Sequence, residues 1–580
     1  MANIFSSLHI GMSGLDAAQT QITTTGHNIT NADSEHYTRQ RVVQSAREPF
    51  HDMPGDIGTG TKVDTVVRVH DEFTFARLRT SNINLESSEY KKQILEEISQ
   101  RFPDLQSVGI GRDLQNYFNA WNNLASNPTE GSQKVNLLNS ASTLSNSINK
   151  AHDMLTKIQK DVDSQIEVSV NEINKYAKQI AQINKEIVRV ESVGTTRAND
   201  LRDKRDQLEL AMSKLVGISV FKGQLQSSNV DPTVTDMGTK HQINISGFNI
   251  VDGTTYHPLT VDRISDKSDF KGVFFERDDG KKVDLNGRIS GGKLGAALDL
   301  RGRRVDDSGE FQDGTIQKYI DNLNTFAKGI INETNNIYAR SAVENAVTDE
   351  LDGLSDSRTL MNFNNDIKHG SFDVVVYNNQ GQEVARKTIN INASTTINDN
   401  TRGNSIVRDF NSDTDDNGDN NSLNDVDDYF QANYQYDAAT GKGTFGVTAK
   451  RNAGEYSVAF IDKGTNFPGI IGVNRVFEGG NAKNMSVKSE LTENPHKLKA
   501  YSNPTPGNNE VSNDMVQMQY KKIIFYSDKH ADKEESVEGY YRYITTDLAS
   551  QTQANNDLND ANTAIHKVAM SEYQSVSGVN

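Results

Sequence analysis

The sequence predicts an α+β, elongated multidomain protein: a helical coiled-coil stem formed by N-terminal, central and C-terminal segments, with two inserted β-rich domains. Three observations predict this. Apolar residues recur in alternating steps of four and three over several separate stretches, the mark of helices that pack along a narrow seam. Between those stretches the text changes to period-two alternation punctuated by glycine, which reads as strands and hairpins. Hydrophobic residues make up only 35% of the 580-residue chain and the mean hydropathy is −0.65, so thin cores in extended parts are expected rather than one thick core.

The first element is a helix from the N-terminus to about Asn31. Leu8, Leu15, Ile22 and Ile29 fall seven apart, with Ile4, Met12 and Ala18 at intermediate offsets. They form one apolar stripe that needs a partner. Gly11, Ser13, Gly14, Thr23 to Thr25 and Gly26 lie around it and have low helical propensity, so this helix is expected to order on assembly. The short side chains of Asn28 and Asn31 are expected to cap its last turns.

The second seam runs Leu137, Ala141, Leu144, Ile148, Ala151, Leu155, Ile158 and Val162, and continues through Ile166, Ile173, Ile180 and Ile187. One helix is therefore expected from about 133 to 191, roughly 90 Å at ~1.5 Å per residue. Val193-Gly194-Thr195-Thr196 reads as a turn, and Leu201, Leu208, Met212 and Leu215 mark a helix returning antiparallel to the first. A third seam holds Ile316, Ile320, Leu323, Ala327, Ile330, Thr334 and Ile337. The last holds Val537, Tyr541, Ile544, Leu548, Leu558, Ile565 and Val568, with Gln551 and Asn555 as polar positions that favour register over stability.

Strand patterns occupy 218 to about 299 and 372 to about 477, while 343–358 and 494–513 read as joining loops. The expected domain plan is an N-terminal assembly helix and extended segment (1–45), a helical stem with a long antiparallel hairpin (46–217), a first β-rich insert (218–300), a return stem helix (301–342), a second β-rich insert with an acidic loop (343–512) and a C-terminal stem helix (513–580).

Composition narrows the function classes. The formal net charge is −17, which disfavours nucleic acid, since phosphate binding needs clustered Lys and Arg. The absence of cysteine removes disulfides, thiolate nucleophiles and cysteine zinc sites. The N-terminus lacks a basic region followed by an apolar core, and no stretch approaches ~18 apolar residues, so neither a cleaved signal peptide nor a membrane span is expected. His-Glu-x-x-His, phosphate-loop and Gly-x-Ser-x-Gly patterns are missing, so no enzyme activity and no cofactor are expected. The acidic loop contains Asp413-x-Asp415-x-Asn417-Gly418-Asp419, the opening spacing of a calcium loop, but Asn424 stands where the bidentate glutamate belongs. Asp413, Asp415, Asn417 and Asp419 are a calcium candidate at most, with a solvated acidic loop the plainer reading.

Three motifs in the first forty residues carry a resemblance: Gly14-Leu15-Asp16-Ala17-Ala18-Gln19, Gly26-His27-Asn28-Ile29-Thr30-Asn31 and Tyr37-Thr38-Arg39-Gln40. Together they resemble the N-terminal signature of bacterial flagellar rod, hook and hook-associated proteins. The last motif is similar to the hook-associated members, since rod and hook proteins usually have Gly-Phe or Gly-Tyr followed by Lys there. Ala198-Asn199-Asp200-Leu201 with Arg205-Asp206-Gln207-Leu208, then Gly291 to Asp299, and finally Ser577-Gly578-Val579-Asn580 are similar to family segments in the expected order. In that family the last motif is followed by an acidic stretch and a terminal amphipathic helix, so the resemblance implies a truncated or processed chain.

The resemblance implies a structural protein that forms the junction ring between flagellar hook and filament. It also implies export through the flagellar type III channel, an extracellular location, and partners consisting of further copies, the hook protein, the second junction protein and an export chaperone, with no nucleic acid and no membrane. The assembly interface is expected at Leu8, Leu15, Ile22, Ile29, Asn28, Asn31, Tyr37, Arg39, Gln40, Leu548, Leu558, Ile565 and Val568. The alternatives are another flagellar axial protein, such as a hook protein or the second junction protein, or a secreted calcium-dependent adhesin or enzyme on a coiled-coil stalk.

Overall fold

Four-three apolar spacing becomes helix throughout the chain in the computed structural model, which describes residues 4–34, 37–53, 55–102, 108–192, 196–223, 238–277, 279–399, 401, 403–450, 454–529 and 531–579. The helices are α1 (Ile4–Thr30), α2 (Glu72–Arg101), α3 (Ile110–Ser126), α4 (Gly131–Glu191), α5 (Asn199–Leu215), α6 (Gly292–Arg301) and α7 (Thr315–Tyr338). They continue with the short α8 (Leu360–Phe363), α9 (Ile406–Phe410), α10 (Val426–Tyr429), α11 (Phe467–Ile471) and α12 (Ser489–Glu493), then α13 (Glu510–Met518) and α14 (Val537–Ser577). With the strands between them they make an α+β protein. Val193, Gly194 and Thr195 of the expected turn, Asp278 of an expected hairpin and Asn580 lie outside the described residues.

The chain divides into two compact units. The first comprises Met1–Ile98, Lys157–Lys318 and Ser550–Asn580. Along its part of α4, Ile158, Val162, Ile166, Ile173, Ile180 and Ile187 are buried, because the four-three repeat keeps them on one face. α5 folds back against the end of that helix, where Ile183, Ile187 and Ala198 cluster with Val190, Leu201 and Leu208. An antiparallel ribbon pairs Gln40–Ala46 with Thr61–Arg68. A four-stranded sheet (219–221, 242–245, 248–252, 255–256) and a three-stranded sheet (282–284, 271–276, 259–263) follow.

The stretch from 218 to 299 is not all strand, as the sequence pattern suggested: its last part is α6. Leu294, Ala296, Ala297, Leu298 and Leu300 are all buried there, and a run of alanine and leucine with high helical propensity forms helix once both sides are covered. Gly292 opens α6 at φ +59°, and a Cβ at that position would lie 2.5 Å from the Leu215 carbonyl carbon, so glycine is what allows α6 to start against the end of α5.

The second unit comprises Ser99–Thr156 and Tyr319–Ala549. Its helical part buries Tyr117, Phe118 and Trp121 of α3, Leu137, Leu144 and Ile148 of α4, Leu323, Phe326 and Ile330 of α7, and Val537, Ile544 and Leu548 of α14. Its β part is a sheet in the order 383–391, 370–378, 456–463, together with a sheet in which 442–449 pairs with 430–437, 346–347 and 351–352. Phe372, Val374, Phe430, Phe445 and Phe460 fill one core among these strands. Residues 343–358 therefore hold two short strands instead of a plain loop, since two-residue strands are too short to carry a visible alternation. Within 494–513 a 3-10 turn, Pro495–Lys497, and the start of α13 interrupt the expected loop.

Candidate assembly surface

The first unit presents helix α1 on a polar anchor. Ser13 Oγ accepts from the Thr61 N–H at 3.2 Å, and Ala17 is buried. Asn28 acts differently from the cap expected of it: its Nδ2 donates to the Gln40 carbonyl at 2.8 Å and its Oδ1 accepts from the Gln40 N–H at 2.9 Å. A side-chain amide on both backbone groups of one residue imitates a strand partner, so α1 is stitched to the start of the ribbon. Asn31 does serve the helix end, with Nδ2 donating to the His27 carbonyl at 2.9 Å.

Several of the motif residues converge on this joint. Tyr37 donates its hydroxyl to Asn28 Oδ1 at 2.9 Å and lies 2.9 Å from His27 Nδ1. Burial, then the charges of Asp203 and Asp200, push its phenol up to about 12. Gln40 Nε2 donates to Asp200 Oδ1 at 3.1 Å, the Thr38 N–H donates to Asp203 Oδ2 at 3.3 Å, and the Arg39 N–H donates to the Ser577 carbonyl at 2.8 Å. The segments around 28, 37–40, 199–203 and 577, distant in sequence, thus meet in one place.

At ~100° per residue, Ser13, Ala17 and Asn28 lie on the side of α1 opposite the apolar stripe. Leu8, Leu15, Ile22 and Ile29 are consequently 60%, 68%, 73% and 67% exposed. A row of exposed leucine and isoleucine on one helix face marks an interaction surface.

A second apolar surface lies in the same unit, between α2 and α14. The two helices are held in register by Ser88 Oγ donating to Asn559 Oδ1 at 3.0 Å, Asn555 Nδ2 donating to the Ser88 carbonyl at 3.0 Å, and a 3.1 Å contact between Ser81 Oγ and His566 Nδ1. The polar seam position Asn555 thereby sets register through a neighbouring backbone. Outside that contact is a groove of about 590 Å³ walled by Phe73, Ala76, Arg77, Thr80, Ile565 and Val568. Phe73, Ile565, Val568 and, further along α14, Leu558 are exposed. Two expected interface positions are buried instead: Leu548 inside the second unit and Asn28 at the joint of α1 with the ribbon.

Beneath the ribbon is a buried charged cluster that the sequence did not point to. Glu209 is fully buried, 2.7 Å from His241 Nε2, 3.2 Å from Arg79 and 3.8 Å from Lys222. Asp206 pairs with Arg68 and faces Lys222 at 3.6 Å and His70 at 3.7 Å. Lys222 also reaches Glu72 at 2.7 Å, and Arg205 Nη1 donates to Asn184 Oδ1 at 3.1 Å. Burial opposes ionisation of Asp206, but Arg68 and Lys222 outweigh it and hold the carboxyl well below its usual range. Glu72 is drawn down to about 2 in the same way, with Lys222 and His70 overcoming burial. For His241 burial and the Arg205 charge together outweigh Glu209, and the imidazole falls to about 4. The one available signal was the run Arg202, Arg205, Asp206, Glu209 on a single face of α5, which reads in isolation as a solvated face.

A pH dependence follows from His241. Its folded-state value lies below the ordinary 6.5, so the unfolded chain binds the proton first as pH falls. The stability it contributes is complete above pH 6.5 and is lost towards pH 4, about 3 kcal/mol over that window. Glu72, also drawn down, continues the loss below the ordinary glutamate value. Urea unfolding between pH 7.5 and 4.5 should show the decline, and His241→Gln, which keeps a donor for Glu209, should flatten it.

In the acidic loop Asp415 Oδ1 accepts from the Gly418 and Asp419 N–H groups at 2.7 and 3.2 Å, and Oδ2 accepts from the Asn420 N–H at 2.9 Å. Asn417 Oδ1 accepts from the Asp419 N–H, and Asp419 Oδ2 from Asn424 Nδ2. Of the calcium candidates, these three turn their oxygens to the loop's own donors. Among the described residues no group of three or more His, Cys, Asp or Glu side chains is placed to hold a metal ion, and no helix is long and apolar enough to cross a membrane.

Residues 95–346 match the family model of the flagellar hook-associated protein FlgK helical domain. That stretch of the chain is thus similar to the FlgK helical domain. The chain is similar to flagellar hook-associated protein 1 of Salmonella typhimurium, 29% identical over 305 residues that cover 52% of this chain and 53% of that protein. Flagellar hook-associated protein 1 of Bacillus subtilis is 27% identical over 227 residues, covering 38% of this chain and 45% of that protein. The chain spans about half the length of the curated relatives it matches. The solved flagellar hook junction protein FlgK from Burkholderia pseudomallei aligns over 86% of this chain and 100% of its own at 14% identity, with a TM-score of 0.48. The matched stretch takes in all of α3, α4, α5, α6 and α7.

Proposed function

We propose that the chain is a structural subunit of the bacterial flagellum, a hook-associated protein 1 that forms the ring joining hook to filament. The match of residues 95–346 to the FlgK helical domain carries this reading, and the exposed stripe of α1 supports it. Such a subunit gains stability when its stripes are buried against neighbours, so folding and assembly are thermodynamically linked. Its neighbours are further copies, the hook protein on one side and the second junction protein on the other. The subunit reaches its place through the flagellar type III channel, delivered by an export chaperone. Within it, the helices form a coiled-coil stem, and the β-rich segments 218–300 and 343–512 are inserts in that stem. The interface comprises the α1 stripe together with Leu558, Ile565 and Val568, while Asn28, Tyr37 and Gln40, expected there too, hold α1 to its own ribbon.

Immunogold electron microscopy with antibodies against residues 372–477 tests the reading on intact bacteria. Gold in one narrow band where hook meets filament is the expected result. Label along a whole hook or filament would make it another axial protein, and label away from flagella would leave the adhesin or enzyme reading.

A further inference from the structure

We propose that the outer edge of strand 383–391 takes up one further antiparallel strand, an extended basic segment of a partner protein. The inference goes beyond the axial role and does not depend on it, because the edge and the wall that faces it lie wholly in the β part of the second unit.

Strand 383–391 ends the sheet that runs 383–391, 370–378, 456–463. Backbone groups in an antiparallel sheet point alternately to one neighbour and to the other, and the far strand fixes the phase here. Val458 donates its N–H to the Val343 carbonyl at 2.8 Å and accepts from the Val343 N–H at 3.0 Å on its outer side. Ala459, the next residue, therefore bonds inward to Val375. Val374 turns the other way and bonds Lys387. Arg386, Thr388 and Asn390 are left with their N–H and carbonyl groups directed away from the sheet. Among the described residues no hydrogen bond from outside the sheet reaches these backbone groups, whereas the opposite edge is closed by Val343 and by Ala339, which accepts from the Phe460 N–H at 2.9 Å. The common guards of an edge are missing as well. Strand 383–391 contains no proline, and its lysine, Lys387, is buried with Nζ donating to the Ser412 carbonyl at 2.5 Å. A long edge without these guards is a template for a further strand.

The facing wall selects the kind of strand. A groove of about 780 Å³ is lined by 383–390 and by Asn404, Asp409, Ser412 and 414–417. Residues 409–428 hold eight aspartates and neither Lys nor Arg. Lys387 serves Asp416 at 3.2 Å and Asp427 at 3.5 Å, and Arg408 serves Asp409 at 3.2 Å. Asp413, Asp415, Asp419 and Asp428 have no cationic partner among the described residues, and Asp415 lines the groove. Every second side chain of an added strand faces this loop. Lys or Arg at alternate positions meets uncompensated carboxylate there, and an acidic segment is repelled.

The probe is a fluorescent heptapeptide of alternating threonine and lysine with threonine at both ends, added to the purified 580-residue chain. Anisotropy reads binding, and hydrogen exchange reads the edge. Binding with slowed exchange in 383–391 is expected. Directly paired residues share a face, so the threonines turn their N–H groups to the edge while the lysines face the loop. A peptide N-methylated on its threonines, or one with glutamate for lysine, should bind about tenfold more weakly or worse. Thr388→Pro removes one outward N–H and no backbone bond within the sheet. It should weaken binding to the same degree with exchange in 370–378 unchanged, and if it fails to fold the methylated peptide decides. No binding at millimolar peptide, binding that leaves exchange in 383–391 as it was, undiminished binding to folded Thr388→Pro, or equal affinity for the glutamate or methylated peptide each overturns the proposal.

Discussion

On the proposed role, a chain carrying Leu15→Asp and Ile22→Asp is expected to fold normally and to be lost from the flagellum entirely, leaving hooks without attached filaments. The two side chains are 68% and 73% exposed, so carboxylates there displace nothing within the molecule. Far-UV circular dichroism and the unfolding midpoint should match those of the unsubstituted chain. In an assembled contact the same carboxylates lose their water without gaining a cation, at a cost of several kcal/mol each. The penalty recurs at every subunit interface, so incorporation should fail outright. Electron microscopy of flagella and a motility assay read the result, and normal junctions in this variant would refute assembly through α1.

Glu209→Ala should have the largest effect on stability, about 3–5 kcal/mol, the usual result of removing one partner from a buried ionic group. Glu209 is fully buried and balances Arg79 at 3.2 Å, Lys222 at 3.8 Å and Arg205 at 3.9 Å, while accepting from His241. Its removal takes one negative charge out of a buried group, leaving Arg79 and Lys222 to share Glu72 at 3.8 and 2.7 Å. The loss should appear as faster amide hydrogen exchange in α5, with exchange in the second unit's sheet of 370–378, 383–391 and 456–463 unchanged. A loss below about 1 kcal/mol would place these charges among solvated surface pairs instead.

The two variants illustrate opposite meanings of a stripe. On α1 the apolar residues face solvent and the small or polar Ser13, Ala17 and Asn28 face the protein. On α5 the charged residues Arg202, Arg205, Asp206 and Glu209 are buried while Leu201 and Leu208 are only half-buried. Periodicity identifies a helix and its faces in both cases. Which face turns inward depends on what the rest of the chain brings to it, and for α5 that is Arg68, Glu72, Arg79, Lys222 and His241 from other elements.

The candidate site was legible to a similar degree. The α1 stripe and the motif residues around 28, 37–40 and 199–208 were visible as letters, and they meet at the joint of α1, the ribbon and α5. Asn28 reads as a helix cap from its position alone, since any Asn near a helix end suits that role. Only the return of Gln40 alongside it shows the amide pairing with a strand. Leu548 and Leu558 share one heptad pattern on α14, but one is buried and the other exposed, a difference no repeat encodes.

By itself the sequence determined the long helices, because four-three spacing is a local property that survives in any context, and likewise the longer strands. Motif letters also carried a resemblance, and residues 95–346 are similar to the FlgK helical domain. The tertiary structure alone decided the helix at 292–301, the two-residue strands near 346 and 351, the buried charged cluster and the groove between α2 and α14. Each of these depends on groups far apart in sequence arriving at one place, where covering both sides of a short segment or pairing a charge outweighs local preference.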